Sequence, residues 1–309
     1  MDRAWMLIVG QELVERDPPV KIYVGVYVNG LTFSVNGKYI VGLESKGVGV
    51  WQVEDGKRIA RLEAESADSL AVSKDGRWIA AGTHKGEVLV WDAKTYDKVF
   101  SQREDGRMFV VNFSPDSTRL VSAMIRGDAI VWDIASGKEV QRLHHKGEMR
   151  AVRYSPRGDR IATGSSSSIR VWDSNDNRLL VEFGRESKLS HHGLLWRNDY
   201  LSVVFNGKIQ QVNASTGSTI SEWPIPAGDY PWHTALPQHE DFIACSTKHA
   251  VTFWDTATHT QLRHIQYPRR IDSIALSPDG QFLAIGYDGG CGEFTIKSLS
   301  RTTASKYLI

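Results

Sequence analysis

The tripeptide Val-Trp-Asp occurs at residues 90–92, 131–133 and 171–173, at intervals of 41 and 40 residues. Worn copies extend the ladder: VWQ at 50–52, QVN at 211–213, FWD at 253–255 and EFT at 293–295. The anchors are Trp51, Trp91, Trp132, Trp172, Val212, Trp254 and Phe294, spaced 40, 41, 40, 40, 42 and 40 residues apart. A fixed period near 40 residues restricts the chain to an array of like units, each too small to bury its own apolar surface.

A second ladder runs in phase with the first. Roughly 17 residues before an anchor stands a turn phrase: SVNG at 34–37, SKDG at 73–76, SPDS at 114–117, SPRG at 155–158 and SPDG at 277–280. Units five and six carry worn versions, WRND at 196–199 and PQHED at 237–241. Asp, Asn, Gly and Pro supply the backbone geometry of tight turns. Apolar strands follow, such as RWIAAG (77–82) and RLVSA (119–123), then a polar turn and a second strand such as EVLVWD (87–92). Period-two alternation between turn clusters predicts antiparallel strands, and no stretch sustains a helical period.

Four short strands per unit, repeated seven times, predict an all-β, seven-bladed propeller. The WD dipeptides in phase with SPDG turns resemble the WD40-repeat family, over about residues 18–309. A weaker resemblance is to fungal WD-repeat proteins, including arrays attached to NACHT-type incompatibility proteins. The 309 residues suggest two domains by length alone; the repeats replace that with one propeller at 18–309 behind an N-terminal extension at 1–17. A ring of blades must close. Carried back one repeat, the outer-strand position falls on PPVKIY at 18–23. The expectation is that residues 20–24 form the outer strand of blade 7, beside strands at 271–276, 281–286 and 291–296. The competing closure uses the tail at 300–309.

Composition bounds the function. Net charge is +1, so no global field draws the chain to nucleic acid or acidic lipid. No apolar run reaches the roughly 20 residues of a membrane span, and the first residues do not read as a secretion signal. Two cysteines, Cys245 and Cys291, argue against a disulfide framework and for a reducing compartment, cytoplasmic or else nuclear. The sequons at Asn112 and Asn213 then carry little meaning.

No phosphate loop, nucleophile elbow, HExxH or CxxC occurs. The resemblance implies a His–Ser/Thr–Asp–Trp hydrogen-bond network, but no blade has the full set. His145 stands at the family's His position while the turn SSSS at 165–168 lacks the Asp; Asp288 sits in a suitable turn while Tyr267 replaces the His. Neighbouring strand residues point to opposite faces, so neither His144–His145 nor His191–His192 suits a shared metal. No enzymatic activity, cofactor or metal is expected.

What remains is surface. Positions that vary at fixed register are free to serve a partner, and loops on a rigid frame are where function concentrates. Five residues before each turn Ser or its equivalent stand Asn29, Asp68, Phe109, Arg150, His192, Trp232 and Asp272. The resemblance implies that this register rims the channel on the narrower face. Near it, EWPIPAGDYPWH (222–233) brings Trp223 and Tyr230, and QYPRRID (266–272) brings Tyr267, Arg269 and Arg270. Trp and Arg are frequent interface hot spots. A basic set, Lys146, Arg150, Arg153, Arg157 and Arg160, scatters over loop, strand and turn and reads as a solvated face. The expected function is a non-catalytic scaffold that binds a protein or peptide on this face, a monomeric propeller within a larger complex. The alternatives are an enzyme or small-ligand binder at the channel mouth, and a sensor module of an incompatibility-type assembly.

Overall fold

The computed structural model describes residues 11–23, 30–44, 46–184, 189–197, 199–205, 207–225, 233–235, 241–287 and 293–303. Among them, regular structure is entirely β: seven sheets of four antiparallel strands, arranged as the blades of a propeller. Blade 2 shows the plan. Its inner strand Ala67–Val72 pairs with Trp78–Thr83, which pairs with Glu87–Asp92, which pairs with the outer strand Lys98–Arg103. The first hairpin closes through its turn phrase. Ser73 Oγ donates to Asp75 Oδ1 at 2.6 Å and accepts the Trp78 N–H at 2.8 Å, and Gly76 takes φ +74°. The same device recurs at Ser114–Asp116 and Ser277–Asp279, with variants at Ser34–Asn36 and Ser155–Asp159.

Packing explains why the blades form a ring. Apolar side chains gather into seven clusters, each shared by two consecutive blades. Ile79 and Trp91 of blade 2 pack with blade 1, while Ala80, Val88 and Val90 pack with blade 3. Alternation along each strand therefore feeds both neighbours. Second and third strands are buried on both faces; outer strands are half exposed. A buried Trp contributes on the order of 2–3 kcal/mol from burial.

The seventh cluster closes the circle, joining Ala275, Ala284 and Ile296 of blade 7 to Ile22, Phe33, Ile40 and Trp51. The N-terminal strand, Gln11–Tyr23, is the outer strand of blade 7 and pairs with Glu293–Thr303. Val20–Tyr23 match Ile296–Glu293, as the repeat phase predicts, and pairing continues beyond a register shift to Gln11 opposite Thr303. The paired segment thus reaches into the residues read as an extension. The tail does not supply the outer strand: its first residues lengthen the third strand.

One rung of the anchor ladder is displaced. Each anchor in blades 1–6 lies opposite an apolar residue of the second strand: Ile40, Ile79, Leu120, Ile161, Leu201 or Ile243. In blade 7 the equivalent residue, Leu283, lies opposite Lys297, not Phe294. Phe294 is buried against blade 1, with its ring 5.1 Å from that of Trp51. Lys297 holds the anchor register, its ammonium 4.8 Å from the Tyr267 ring centroid. The cause is the longer connection between Tyr287 and Glu293, which carries the third strand past the phase of the repeat.

Candidate functional site

Successive strands are antiparallel, so their connections alternate between two ends of the propeller. The turn phrases lie at one end, the turn face. The connections into each inner strand, and those between second and third strands, lie at the other, the loop face. The variable register sits where the inner strands begin. Pairing of inner and second strands slips between Ala67 and Ser69, Met108 and Val110, Met149 and Ala151, and Ile271 and Ser273. The skipped residues are Asp68, Phe109, Arg150 and Asp272: four blades place a β-bulge at the register that sequence variation singled out. A bulged residue leaves the ladder and its side chain is re-aimed, which frees the position from the demands of the sheet.

Most of these side chains are already engaged. Asp68 accepts two hydrogen bonds from Arg107 of the next blade, at 2.6 Å from Nε and 3.0 Å from Nη2, and lies 3.5 Å from His84 Nδ1. The same guanidinium lies over the Phe109 ring, 5.3 Å from its centroid. Arg150 pairs with Glu148 at 3.1 Å and Arg270 with Asp272 at 3.6 Å. Arg269 bonds Glu293 at 2.7 Å and covers Tyr287. Beside Arg107, a cleft of about 480 Å³ is lined by His84, Lys85, Arg103 and Glu104. His192 lies within the inner strand Leu189–Arg197, in a stretch where pairing slips between Leu189 and Leu194. Asn29, Tyr230 and Trp232 lie outside the described residues, as does the His192 side chain.

Other sequence candidates find structural roles. Trp223 is buried in the outer strand Thr219–Pro224, stacked on His259 of blade 6 at 4.2 Å. Tyr267 is buried beside Tyr287. The two adjacent histidines part as expected: His144 Nδ1 meets Asp128 at 2.9 Å on the surface, and His145 is buried with Nε2 3.0 Å from Ser168 Oγ. Blade 4 builds part of a polar network without the family's Asp. Ser168 Oγ donates to Glu182 Oε1 at 3.0 Å, and Arg170 pairs with that carboxylate at 3.0 Å. The Arg170 hydrogen bond holds the Glu182 carboxyl below its ordinary range, against the opposing effect of burial. The Trp172 indole N–H donates separately to Thr163 Oγ1.

The basic set is not brought together. Arg157 pairs with Asp199 at 2.7 Å, Arg160 bonds Ser215, and Arg150 stays at the loop face. Arg153 goes elsewhere, to the central channel. Sequence reading missed that destination because only strand pairing shows which residues of an inner strand face the axis.

Comparison with known proteins agrees with this architecture. The family model for the WD domain, G-beta repeat, matches residues 56–92 and 137–173. Each match joins one blade's outer strand to the first three strands of the next, the offset that makes an N-terminal strand close the ring. Over 153 residues, 47% of this chain, it is 30% identical to WD repeat-containing protein 1 of Mus musculus and of Rattus norvegicus. The match spans about a fifth, 19%, of the length of those relatives. The Myceliophteria thermophila Cps50 (Swd1) β-propeller domain superposes with TM-score 0.79 at 16% identity, covering 89% of this chain and 98% of that one. A chain of the mitotic checkpoint complex superposes with TM-score 0.80 at 17% identity, covering 96% of each. Two repeats match the WD40 family model in phase with seven blades built to one strand plan, so the chain carries WD40 repeats and folds as a seven-bladed β-propeller.

Proposed function

We propose that this chain, in the way typical of WD40 propellers, is a non-catalytic interaction scaffold that binds a protein or peptide on its loop face, around Trp232, Arg150, Phe109 and Arg270. The observation that supports this reading is the bulge at the start of four inner strands. It takes Asp68, Phe109, Arg150 and Asp272 out of the ladder at equivalent positions around one rim. Their ion pairs fix the orientation of the face in advance, which lowers the ordering cost of binding. An aromatic ring under a guanidinium, as Phe109 lies under Arg107, suits the chemistry of a peptide hot spot. Cytoplasmic location, with the nucleus as the alternative, belongs to the same proposal and is checked by imaging the tagged chain.

The test is affinity recovery of partners from the native cell, identified by mass spectrometry. Phe109→Ala with Arg150→Ala, and separately Trp232→Ala with Arg270→Ala, should remove partners that the unaltered chain recovers. Arg178→Ala, on the turn face, should keep them. Undiminished recovery by both double variants would rule out this face.

A further inference from the structure

Arg153 is the fifth residue of the inner strand Met149–Tyr154, and it lines two adjoining spaces. One is the central channel, about 320 Å³, whose walls include Thr32, Asn112 and Ser273. The other is the channel's mouth on the turn face, about 360 Å³, lined also by Lys74, Pro115, Pro156 and Trp196.

The charge around Arg153 is uncompensated. Its guanidinium donates to the Val152 carbonyl at 3.2 Å, and among the described residues no carboxylate pairs with it. Asp68 is the one acid among the described residues that line either space, and Arg107 holds it in a two-fold hydrogen bond. Lys74 adds a second cation at the mouth, where the described lining holds no acid. Enclosure by protein lowers the Arg153 pKa to about 10, the direction expected for a cation that has lost water without gaining a counterion. The guanidinium stays protonated at neutral pH all the same.

The mouth also offers a neutral donor. Asn112 accepts the Tyr154 N–H at 3.0 Å through Oδ1, which leaves its amide N–H groups to donate. Pro115, Pro156 and Trp196 make apolar walls that concentrate the field of the two cations. A planar guanidinium, a mobile ammonium and an amide around a space at the lower end of small-molecule pockets match one ligand chemistry. We propose that the turn-face mouth of the central channel binds a small oxyanion, a phosphate or a short polycarboxylate, held by Arg153 with Lys74 and Asn112. This site lies at the opposite end of the propeller from the loop-face surface and does not depend on it.

The experiment is isothermal titration of the whole chain with inorganic phosphate and with citrate, at ionic strength matched with chloride. Saturable binding of one anion per chain is expected. Arg153→Gln should weaken it at least about tenfold, the loss of one charge-assisted interaction. Lys74→Glu should weaken it too, and Arg178→Gln, removing an equal charge from the surface, should leave it unchanged. No saturable binding of either anion would overturn the proposal, as would undiminished binding by Arg153→Gln. If Arg153→Gln does not fold, Lys74→Glu decides: undiminished binding by that variant overturns the proposal equally.

Discussion

Trp172 donates its indole N–H to Thr163 Oγ1 at 2.8 Å, inside a blade where both residues are buried. Trp132 makes the same bond to Ser122 at 2.8 Å. In each case the hydroxyl stands two residues beyond the residue that faces the anchor across the ladder. Thr163→Val keeps the volume and removes the acceptor, leaving a buried donor without a partner. The expected loss is about 1–3 kcal/mol, read as a lower urea midpoint at unchanged slope.

Blade 6 offers the reverse experiment. Cys245 occupies the position equivalent to Thr163, and the Trp254 indole N–H has no hydrogen-bond partner among the described residues. Burial pushes the Cys245 thiol up to about 12, so it remains a neutral, weak acceptor. Cys245→Thr supplies an oxygen at the place where blade 4 has one. A gain of about 1 kcal/mol is expected, measured by the same denaturation.

Acid should unfold the propeller through its turns. Burial of Asp75 opposes ionisation, but hydrogen bonds from Ser73 and the Arg77 N–H outweigh it, and the carboxyl titrates below its ordinary 3.8. Asp116 is depressed in the same way, its burial outweighed by Ser114 and the Thr118 N–H. A lowered folded-state pKa contributes stability that is complete above the unfolded value and lost as pH falls through the folded one. Stability should therefore drop below about pH 4. Asp75→Asn with Asp116→Asn should flatten that limb, checked by urea midpoints across the acid range.

Glycines on the loop face are fixed by close approach. Gly127 has φ +112°, and a Cβ there would meet the His145 carbonyl oxygen at 2.1 Å. Gly86 repeats this in blade 2, at φ +85° and 2.2 Å from the Glu104 oxygen. Gly127→Ala should cost more than the roughly 1–2 kcal/mol of a left-handed backbone alone, seen as a lower thermal midpoint.

The ladders were legible because packing and turn chemistry impose the same residue types on every unit. A Trp must fill the gap to the preceding blade, and a Ser-x-Asp-Gly turn must close the first hairpin. Phe294 misled because the longer connection after Tyr287 moved the anchor register to Lys297, and connection length is invisible to an anchor-to-anchor count. The rim was found by its variation, whose cause is the bulge at Asp68, Phe109, Arg150 and Asp272. The bulges were not legible, since they are a property of pairing. One unused signal was present: complementary residues about one period apart. Asp68 and Arg107, and Arg157 and Asp199, are such pairs, and they bond between neighbouring blades.

The ring itself is tested most directly by tying its two ends. Lys21 lies opposite Thr295, in the stretch where the N-terminal strand joins blade 7. In a Cys291→Ser background, Lys21→Cys with Thr295→Cys should form an internal disulfide on mild oxidation, mapped by mass spectrometry, and raise the thermal midpoint over the reduced form. A pair that stays reduced while the chain is folded, or a cross-link that leaves the midpoint unmoved, would contradict closure by the N-terminal strand.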